Sequence, residues 1–245
     1  MKFVKHQKVG SAITDAMGNL SVLGIFQLVE EAATELMGEM NLDSVTTKKT
    51  YNAAWIFTKS KVEIYHQIAW NEECTVVCFV SGRTHASVSI DVGIKNKSDE
   101  LCAYSRMEMF ALDLQSGRLR RLSTVGMDGS VETEAPLAEL AFTRFDAENL
   151  PEVDRVKVRY TNIDLVRHTN NKEYIRWMLN TYSVRELETR PIRTMEIVYI
   201  NQSFENDVLT IRKGSVQDRE ILAVQREDKL IAKCAIVREG PGAAQ

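Results

Sequence analysis

The strongest constraint on the fold of this 245-residue chain is an internal repeat, in which the same landmarks occur twice and in the same order. Asp15 and Asp164 each precede a loop and then an amphipathic helix. The later landmark pairs are Tyr65 with Tyr199, Glu73 with Asp207, Asp99 with Asp228, and Leu101 with Leu230. A repeated order of this kind predicts two copies of one unit of roughly 100 to 130 residues, each the size of a small domain.

The first copy combines one long helix with a series of strands. Apolar residues recur at helical spacing from Ser21 onward and predict a helix with a broad buried stripe: Leu23, Phe26, Leu28, Val29, Ala32, Ala33 and Leu36. Strand-like segments separated by turn signals follow at residues 53–67, 74–82, 85–96 and 101–114. A helix followed by several antiparallel strands predicts an α+β fold class.

The second copy begins with a strand-like run at residues 156–160, and a polar loop then leads into a helix. One face of this helix is predicted to carry Tyr174, Trp177, Met178 and Thr181, which recur at helical spacing. Asn170 can cap the helix, and Glu173 completes a capping-box pattern. A helix N-terminus offers unpaired N–H groups and the positive end of a dipole, so it can stabilise negative charge on a carbonyl oxygen.

The two copies differ in polar residues around this loop. Where the second copy has His168 the first has Asn19, and where the second has Gln202 the first has Ile68. We therefore predict one active site, in the second copy. On spacing alone a structural interpretation is favoured, because Asp and Asn before a helix are most often caps and a single loop histidine most often only forms hydrogen bonds.

An irregular segment separates the copies. Residues 123–156 contain Gly, Pro and many acidic residues, with one short helix predicted around Pro136–Phe142. We predict an N-terminal unit at 1–125, a linker at 126–155, and a C-terminal unit with the catalytic loop at 156–245.

Composition argues against several classes of protein. With 44% hydrophobic and 27% charged residues the chain is typical of a soluble globular protein, and a net charge of -3 argues against nucleic acid as its main partner. No signal-peptide core and no apolar run of about 18 residues occurs, so we expect a cytoplasmic protein that does not enter a membrane. The cysteines are expected to be buried thiols, and no spacing suggests a metal or an organic cofactor: Cys74, Cys78, Cys102 and Cys234.

Residues 163–179, reading IDLVRHTNNKEYIRWML, resemble the acyl-ACP thioesterases, which hydrolyse fatty acyl groups from acyl carrier protein (ACP). Further similar stretches lie at residues 28–38, 52–64, 68–77 and 119–126. The resemblance implies a double hotdog fold, in which each of two tandem units is a long helix wrapped by a curved antiparallel sheet.

The resemblance also implies positions for catalytic residues. The family carries an Asp-x-Asn-x-His motif before the second helix, which places the Asp at Asp164 and the His at His168, with Val166 at the Asn position. On the next strand the family has a Glu, followed in plant members by a Cys, and this chain has Gln202 and Ser203 there. Water attack is preferred to Ser203 as nucleophile, because no sequence feature places a base beside Ser203.

These residues suggest a division of roles in thioester hydrolysis. His168 is the best-suited general base, because an imidazole changes its protonation state near neutral pH. Asp164 is expected to orient it or to stabilise its charged form. Gln202 cannot take up a proton as a Glu could, but it can position water. We expect either a slower enzyme or a rearranged site in which Asn170 or Asn171 takes over part of the positioning. Backbone N–H groups of the helix are expected to stabilise the oxyanion.

Two further sets of residues are candidates for substrate binding. By resemblance the first unit supplies an apolar pocket for the acyl chain, with Trp55 as a candidate beside Phe57, Ile25 and Phe26, although core packing explains the same residues equally well. Arg118, Arg120 and Arg121 form a basic cluster that either meets the acidic carrier protein or is a solvated turn.

The leading hypothesis is a thioester hydrolase of fatty acid biosynthesis that acts on ACP bearing a 4'-phosphopantetheine acyl thioester. The alternatives are an acyl-CoA thioesterase of the same fold and a non-catalytic acyl-binding protein, the latter motivated by Val166 and Gln202. The sequence leaves a homodimer open.

Overall fold

The computed structural model describes residues 1–129 and 131–240, and the chain divides into two compact units. Unit 1 is Met1–Ala141, and unit 2 begins at Phe142. Each unit contains a five-stranded antiparallel sheet, a helix that follows its first strand, and a second, shorter helix. The predicted α+β fold class is confirmed.

Unit 1 runs from one strand through two helices into four further strands. Its helices are α1 Val22–Glu39 and α2 Ser44–Tyr51. Its strands are β1 Lys2–Lys8, β2 Ala53–Ile64, β3 Glu73–Arg83, β4 Ser87–Asn96 and β5 Leu101–Asp113. Within the unit the strands lie in the order β1-β3-β4-β5-β2, and each neighbouring pair is antiparallel.

Unit 2 repeats this topology. Its helices are α3 Asn171–Leu179 and α4 Val184–Thr189. Its strands are β6 Glu152–Lys157, β7 Ile192–Tyr199, β8 Val208–Val216, β9 Arg219–Arg226 and β10 Lys229–Arg238. The order within the unit is β6-β8-β9-β10-β7, so each strand has a counterpart in unit 1. Strand β6 ends before Tyr160, which instead begins a short 3-10 helix, Tyr160–Asn162.

Helix α1 forms where the apolar stripe predicts it. Ser21 caps the helix, because its Oγ accepts a hydrogen bond from the Gly24 N–H at 2.9 Å. Most of the stripe is buried, and the helix packs against β3. A Cβ at Gly24 would lie 2.5 Å from the Ile13 carbonyl oxygen, so glycine allows the helix to begin this close to the preceding segment.

The prediction of a helix around Pro136–Phe142 is wrong, because these residues form no helix. Residues 131–141 instead form hydrogen bonds with the sheet of unit 1. The Leu137 N–H donates to the Tyr104 hydroxyl at 3.1 Å. Arg106 Nη1 donates to a backbone carbonyl of the same segment at 2.7 Å. We call residues 131–141 the covering segment. Two of its backbone groups are thus bound by side chains of strand β5, and the Glu134 N–H donates to the Val80 carbonyl of strand β3 at 2.9 Å. These contacts take the place of helical hydrogen bonds.

The chain continues in unit 2 with a comparable arrangement. The Thr143 N–H and hydroxyl both donate to the Glu196 carboxylate at 2.9 Å. Leu150 joins an apolar cluster with Ala147, Ile221, Ala223 and Ala235. The residues of the predicted linker, 126–155, thus belong partly to one unit and partly to the other, and the predicted boundaries stay a prediction.

The structure corrects the alignment of the two copies near strands β3 and β8. The Leu20 N–H donates to the Ile68 carbonyl at 2.8 Å, and in unit 2 the Thr169 N–H donates to the Ser203 carbonyl at 2.9 Å. Ile68 therefore corresponds to Ser203 and not to Gln202. Two adjacent glutamates, Glu72 and Glu73, allow either alignment in the sequence, and the hydrogen bonds select Glu72 as the counterpart of Asp207.

All four cysteines are buried, as predicted, and are free thiols. Burial raises the pKa of each thiol, most strongly that of the fully buried Cys234. Among the helices that the structure describes, none is both long enough and apolar enough to span a membrane.

Candidate active site

The loop before helix α3 is shaped by Asp164. Its Oδ1 accepts hydrogen bonds from the backbone N–H groups of Val166 at 3.0 Å and His168 at 3.3 Å. The Asp164 N–H in turn donates to the His168 carbonyl at 2.9 Å. Arg167 has a φ of 66°, which the tight loop requires. Asp164 therefore binds the backbone of the loop and holds the backbone of His168 in position.

The His168 side chain is half-buried and packs against Phe204. The two ring centroids are 5.3 Å apart and the planes are inclined by 79°, an edge-to-face arrangement. Within residues 1–129 and 131–240, the imidazole accepts and donates no hydrogen bond, so the expected contact between it and the Asp164 carboxylate is absent. The roles predicted for Asp164 and His168 stay predictions.

Asn170 caps α3 as predicted, since its side chain accepts from the Lys172 N–H at 3.0 Å. The predicted capping box is wrong. The Asn170 N–H donates to the Asn162 carbonyl, and the Glu173 carboxylate accepts from Asn162 Nδ2 at 2.9 Å. Glu173 is only 6% exposed and is thus held against the 3-10 helix that precedes the loop.

Asn171, the first residue of α3, retains unused hydrogen-bond donors. Neither its backbone N–H nor its side-chain amide finds a partner in the described parts of the chain, and the residue is half-buried. Helix N-terminal N–H groups carry partial positive charge. The position directly after the capping residue therefore offers hydrogen bonds to an incoming carbonyl oxygen, which adds geometric support to the candidate role of Asn171.

Ser203 is a buried structural residue in this arrangement. It is 0% exposed, and its Oγ lies 2.7 Å from Thr169 Oγ1 and 2.9 Å from the Tyr174 hydroxyl. Burial raises the pKa of Tyr174, although its hydrogen bonds to Ser203 and Thr169 oppose the change. Ser203 thus joins helix α3 to the segment before β8, and its hydroxyl is not accessible to a substrate.

Gln202 lies next to Ser203 in the chain, but its side chain is exposed whereas that of Ser203 is buried. The Gln202 side chain forms no hydrogen bond with the residues that the structure describes. It lies on the segment that carries Phe204 beside the His168 loop. Its predicted part in positioning water stays a prediction.

The candidate substrate-binding residues of unit 1 have structural contacts of their own. Trp55 is 9% exposed and its Nε1–H donates to the Leu42 carbonyl at 2.8 Å and to Thr47 Oγ1 at 3.1 Å. It therefore anchors α2 to strand β2, in agreement with the core-packing interpretation. Its predicted contact with an acyl chain stays a prediction.

The arginines of the predicted basic cluster divide into two kinds. Arg120 donates to the carbonyls of Tyr51 and Thr124, so it holds the end of α2. Arg118 and Arg121 are exposed. Arg121 lines an open cavity of about 550 Å³ together with Arg83 and His85. Of the predicted basic cluster, Arg118 and Arg121 are therefore the arginines whose charge is exposed, and Arg121 lies beside Arg83 at the cavity.

Comparison with known proteins identifies the family. The model of the acyl-ACP thioesterase N-terminal domain matches residues 1–127, and that of the C-terminal domain matches residues 146–239. The chain therefore belongs to the acyl-ACP thioesterase family, as the resemblance in its sequence indicates.

Solved structures show the same fold at low sequence identity. An acyl-ACP thioesterase from Bacteroides thetaiotaomicron is 16% identical, with a TM-score of 0.86 over 97% of this chain and 98% of that one. The 12:0-ACP thioesterase from Umbellularia californica is 13% identical, with a TM-score of 0.86 over 97% of each chain. The double hotdog fold is confirmed.

Curated relatives include the chloroplastic oleoyl-acyl carrier protein thioesterase 2 of Arabidopsis thaliana, which is 18% identical over 189 residues. The match covers 72% of this chain and 52% of the relative. A Coriandrum sativum oleoyl-acyl carrier protein thioesterase is 19% identical over 66% of this chain and 47% of its own length. The chain thus spans about half the length of the curated relatives it matches.

Sequence reasoning missed Phe204, which packs on His168. A comparison of the two copies could have identified Phe204, because the correct alignment places Ala69 opposite Phe204 and Asn19 opposite His168. A shift of one residue in the alignment concealed that both rings are present in one copy and absent from the other.

Proposed function

We propose that this protein hydrolyses fatty acyl-ACP thioesters to free fatty acid and holo-ACP. Membership of the acyl-ACP thioesterase family supports the substrate class. The observation that carries the proposal is that the imidazole of His168, in the loop before α3, and the donors of Asn171, at the start of α3, have no hydrogen-bond partner in the described chain. One group suits proton transfer and the other suits a developing oxyanion.

The reaction follows from these groups. His168 takes a proton from a water molecule as the water oxygen forms a bond to the thioester carbonyl carbon. The carbonyl oxygen becomes negative and accepts hydrogen bonds from Asn171 at the start of α3. The C–S bond then breaks, and His168 returns its proton to the departing pantetheine thiolate. Asp164 contributes by holding the loop, through the backbone bonds described above.

A second candidate function is acyl binding without hydrolysis. Val166 stands at the family's Asn position, is 47% exposed and offers no polar side-chain atom, and Gln202 stands at the Glu position. A site that lacks both groups is expected to be slower or inactive. Hydrolysis is preferred, because His168 itself is present and partly exposed.

The test is release of free thiol from medium-chain and long-chain acyl-ACP by the purified protein and by His168→Ala. We expect kcat to fall at least about 100-fold in the variant, the usual contribution of a general base. His66→Ala is the matched control, since it removes an exposed imidazole from unit 1, and it should retain activity. Stable acyl-chain binding without thiol release in the unaltered protein would support the binding function instead.

ACP with its 4'-phosphopantetheine arm is proposed as the partner, and Arg118 and Arg121 as part of its contact surface. Acidic carrier proteins are attracted by exposed basic residues. Parallel assays with acyl-CoA test the carrier, because a true ACP enzyme should show a much lower kcat/KM on CoA esters. The cytoplasmic location and a homodimer stay predictions.

A further inference from the structure

The backbone of Phe204, whose ring contacts His168, is held by the ion pair of Asp207 and Arg226. Asp207 Oδ2 accepts a hydrogen bond from the Phe204 N–H at 2.8 Å. The same oxygen lies 2.6 Å from Arg226 Nη1 on strand β9, and both side chains are partly buried. An ion pair with this geometry holds the backbone of Phe204 in place from the sheet.

A second set of hydrogen bonds joins the residues next to each ring. Thr169 follows His168 and Ser203 precedes Phe204 in the chain. The Thr169 N–H and hydroxyl both donate to the Ser203 carbonyl, at 2.9 and 3.0 Å, and the two hydroxyls lie 2.7 Å apart. The backbones that carry the two rings are thus fixed to each other directly.

Unit 1 provides an internal comparison. Its corresponding loop has comparable hydrogen bonds. The Leu20 N–H donates to the Ile68 carbonyl at 2.8 Å, and the Ala69 N–H donates to a Glu72 carboxylate oxygen at 3.0 Å. Yet Asn19 stands where unit 2 has His168, and Ala69 where unit 2 has Phe204. The backbone hydrogen bonds belong to the shared fold. The hydroxyl contacts, which Leu20 and Ile68 cannot make, and the two rings together are found, among the described residues, in unit 2 alone.

We propose that Phe204 is a positioning residue for His168, whose ring it holds in the orientation needed to take a proton from water. The inference rests on the proposed catalytic function of His168. The Phe204 ring limits rotation of an imidazole that, in the described chain, has no hydrogen bond to orient it. Aromatic packing replaces the carboxylate contact that Asp164 does not make.

The first measurement is steady-state hydrolysis by Phe204→Ala, Phe204→Leu and Phe204→Tyr. We expect Phe204→Ala to lower kcat about tenfold, with KM for acyl-ACP changed less than about twofold. Phe204→Tyr keeps the ring and should retain most of kcat. Phe204→Leu keeps apolar bulk without a ring, and an intermediate kcat is expected. Phe204 is 43% exposed, so the truncation should not prevent folding.

The second measurement does not depend on activity. A ring 5.3 Å away displaces the NMR resonance of the His168 Cε1 proton, which is assigned by its loss in His168→Ala. We expect Phe204→Ala to move this resonance toward that of an exposed histidine and Phe204→Tyr to preserve it. The resonances of His6, His66 and His85 serve as controls and should not move.

The outcomes separate the two proposals. An unchanged His168 resonance in Phe204→Ala would show that the rings do not pair, which overturns the inference. A displaced resonance with unchanged kcat would overturn the positioning role alone. Full activity of His168→Ala would overturn the proposed catalytic role, and with it the need for a positioning residue.

Discussion

At the scale of single residues, the Asp164 carboxylate holds the loop by accepting hydrogen bonds from the backbone N–H groups of Val166 and His168. Ser203, at a position where plant relatives were expected to have a Cys, is fully buried between Thr169 and Tyr174. Both residues shape the loop, and the imidazole has an aromatic neighbour in place of a carboxylate.

Asp164→Asn should retain most of the activity, whereas Asp164→Ala should lower kcat roughly 100-fold by displacing the loop. The Asn side-chain oxygen can still accept both backbone hydrogen bonds, and an Ala methyl cannot. The measurement is kcat on acyl-ACP, with Asp15→Ala in the corresponding loop of unit 1 as control. Equal loss in the Asn and Ala variants would mean that the negative charge itself is required.

Ser203→Ala should lower the free energy of unfolding by about 1 kcal/mol, because it removes one buried hydrogen-bond partner of Thr169 and of Tyr174. Each of the two keeps a hydrogen bond to the Ser203 backbone. Urea unfolding followed by circular dichroism measures the change. Ser215→Ala, at an exposed position of strand β8, should leave stability nearly unchanged. A Ser203→Ala protein as stable as the parent would contradict the role assigned to this hydroxyl.

At the scale of elements, the sequence predicted those helices and strands that have a continuous apolar face to bury. Helix α1 and strands β2 to β5 have such faces and were found close to their predicted positions. Helix α2 was missed because it is polar and has three β-branched residues among its first four. It forms because Asp43 caps it and because Trp55 binds its N-terminal turn, contacts that no local pattern contains.

The Asp43 cap should make the stability of α2 dependent on pH. Hydrogen bonds from the side chain and backbone of Thr46 hold the pKa of Asp43 below its ordinary value of 3.8. A carboxyl with a lowered pKa in the folded state contributes stability above its unfolded pKa, and the contribution is lost as pH falls through the folded pKa. Asp43→Asn removes this titration while keeping a cap.

The stability difference between the parent protein and Asp43→Asn should therefore shrink as pH falls from neutral to about 3. Urea unfolding of both proteins across this range measures it. Asp43→Ala should cost about 1 kcal/mol at neutral pH through loss of the cap. A difference that grows in acid would contradict a lowered pKa of Asp43 in the folded protein.

At the scale of the whole molecule, the repeat was the most informative feature of the sequence, and the two units do share one strand order. The site was only partly predictable. The cap at Asn170 and the position of His168 followed from local pattern, but the neighbour Phe204 depends on which residues of distant segments meet. A polar loop also gives no sign of whether its carboxylate will bind a side chain or the backbone.

Binding of a carrier protein is a property of the whole surface. Arg121→Glu should raise KM for acyl-ACP about fivefold, and the effect should weaken as salt is added, because exposed charges are screened. Acyl-pantetheine, which lacks the protein, should show no change in KM. Lys229→Glu, with the same charge change on an exposed hairpin of unit 2, is the control. Equal effects of both variants would argue against contact at Arg121.

The covering segment has a practical consequence for cutting or extending this chain. A tag inserted within residues 131–141, or expression of unit 1 as a fragment ending at residue 125, would leave the Tyr104 hydroxyl and Arg106 without their partners in the segment. Either change would also remove Leu137 from Gly93, against which it packs so closely that a Cβ there would lie 2.7 Å from the Leu137 side chain. A fragment ending at Ala141 should stay in solution on expression, whereas one ending at residue 125 should precipitate.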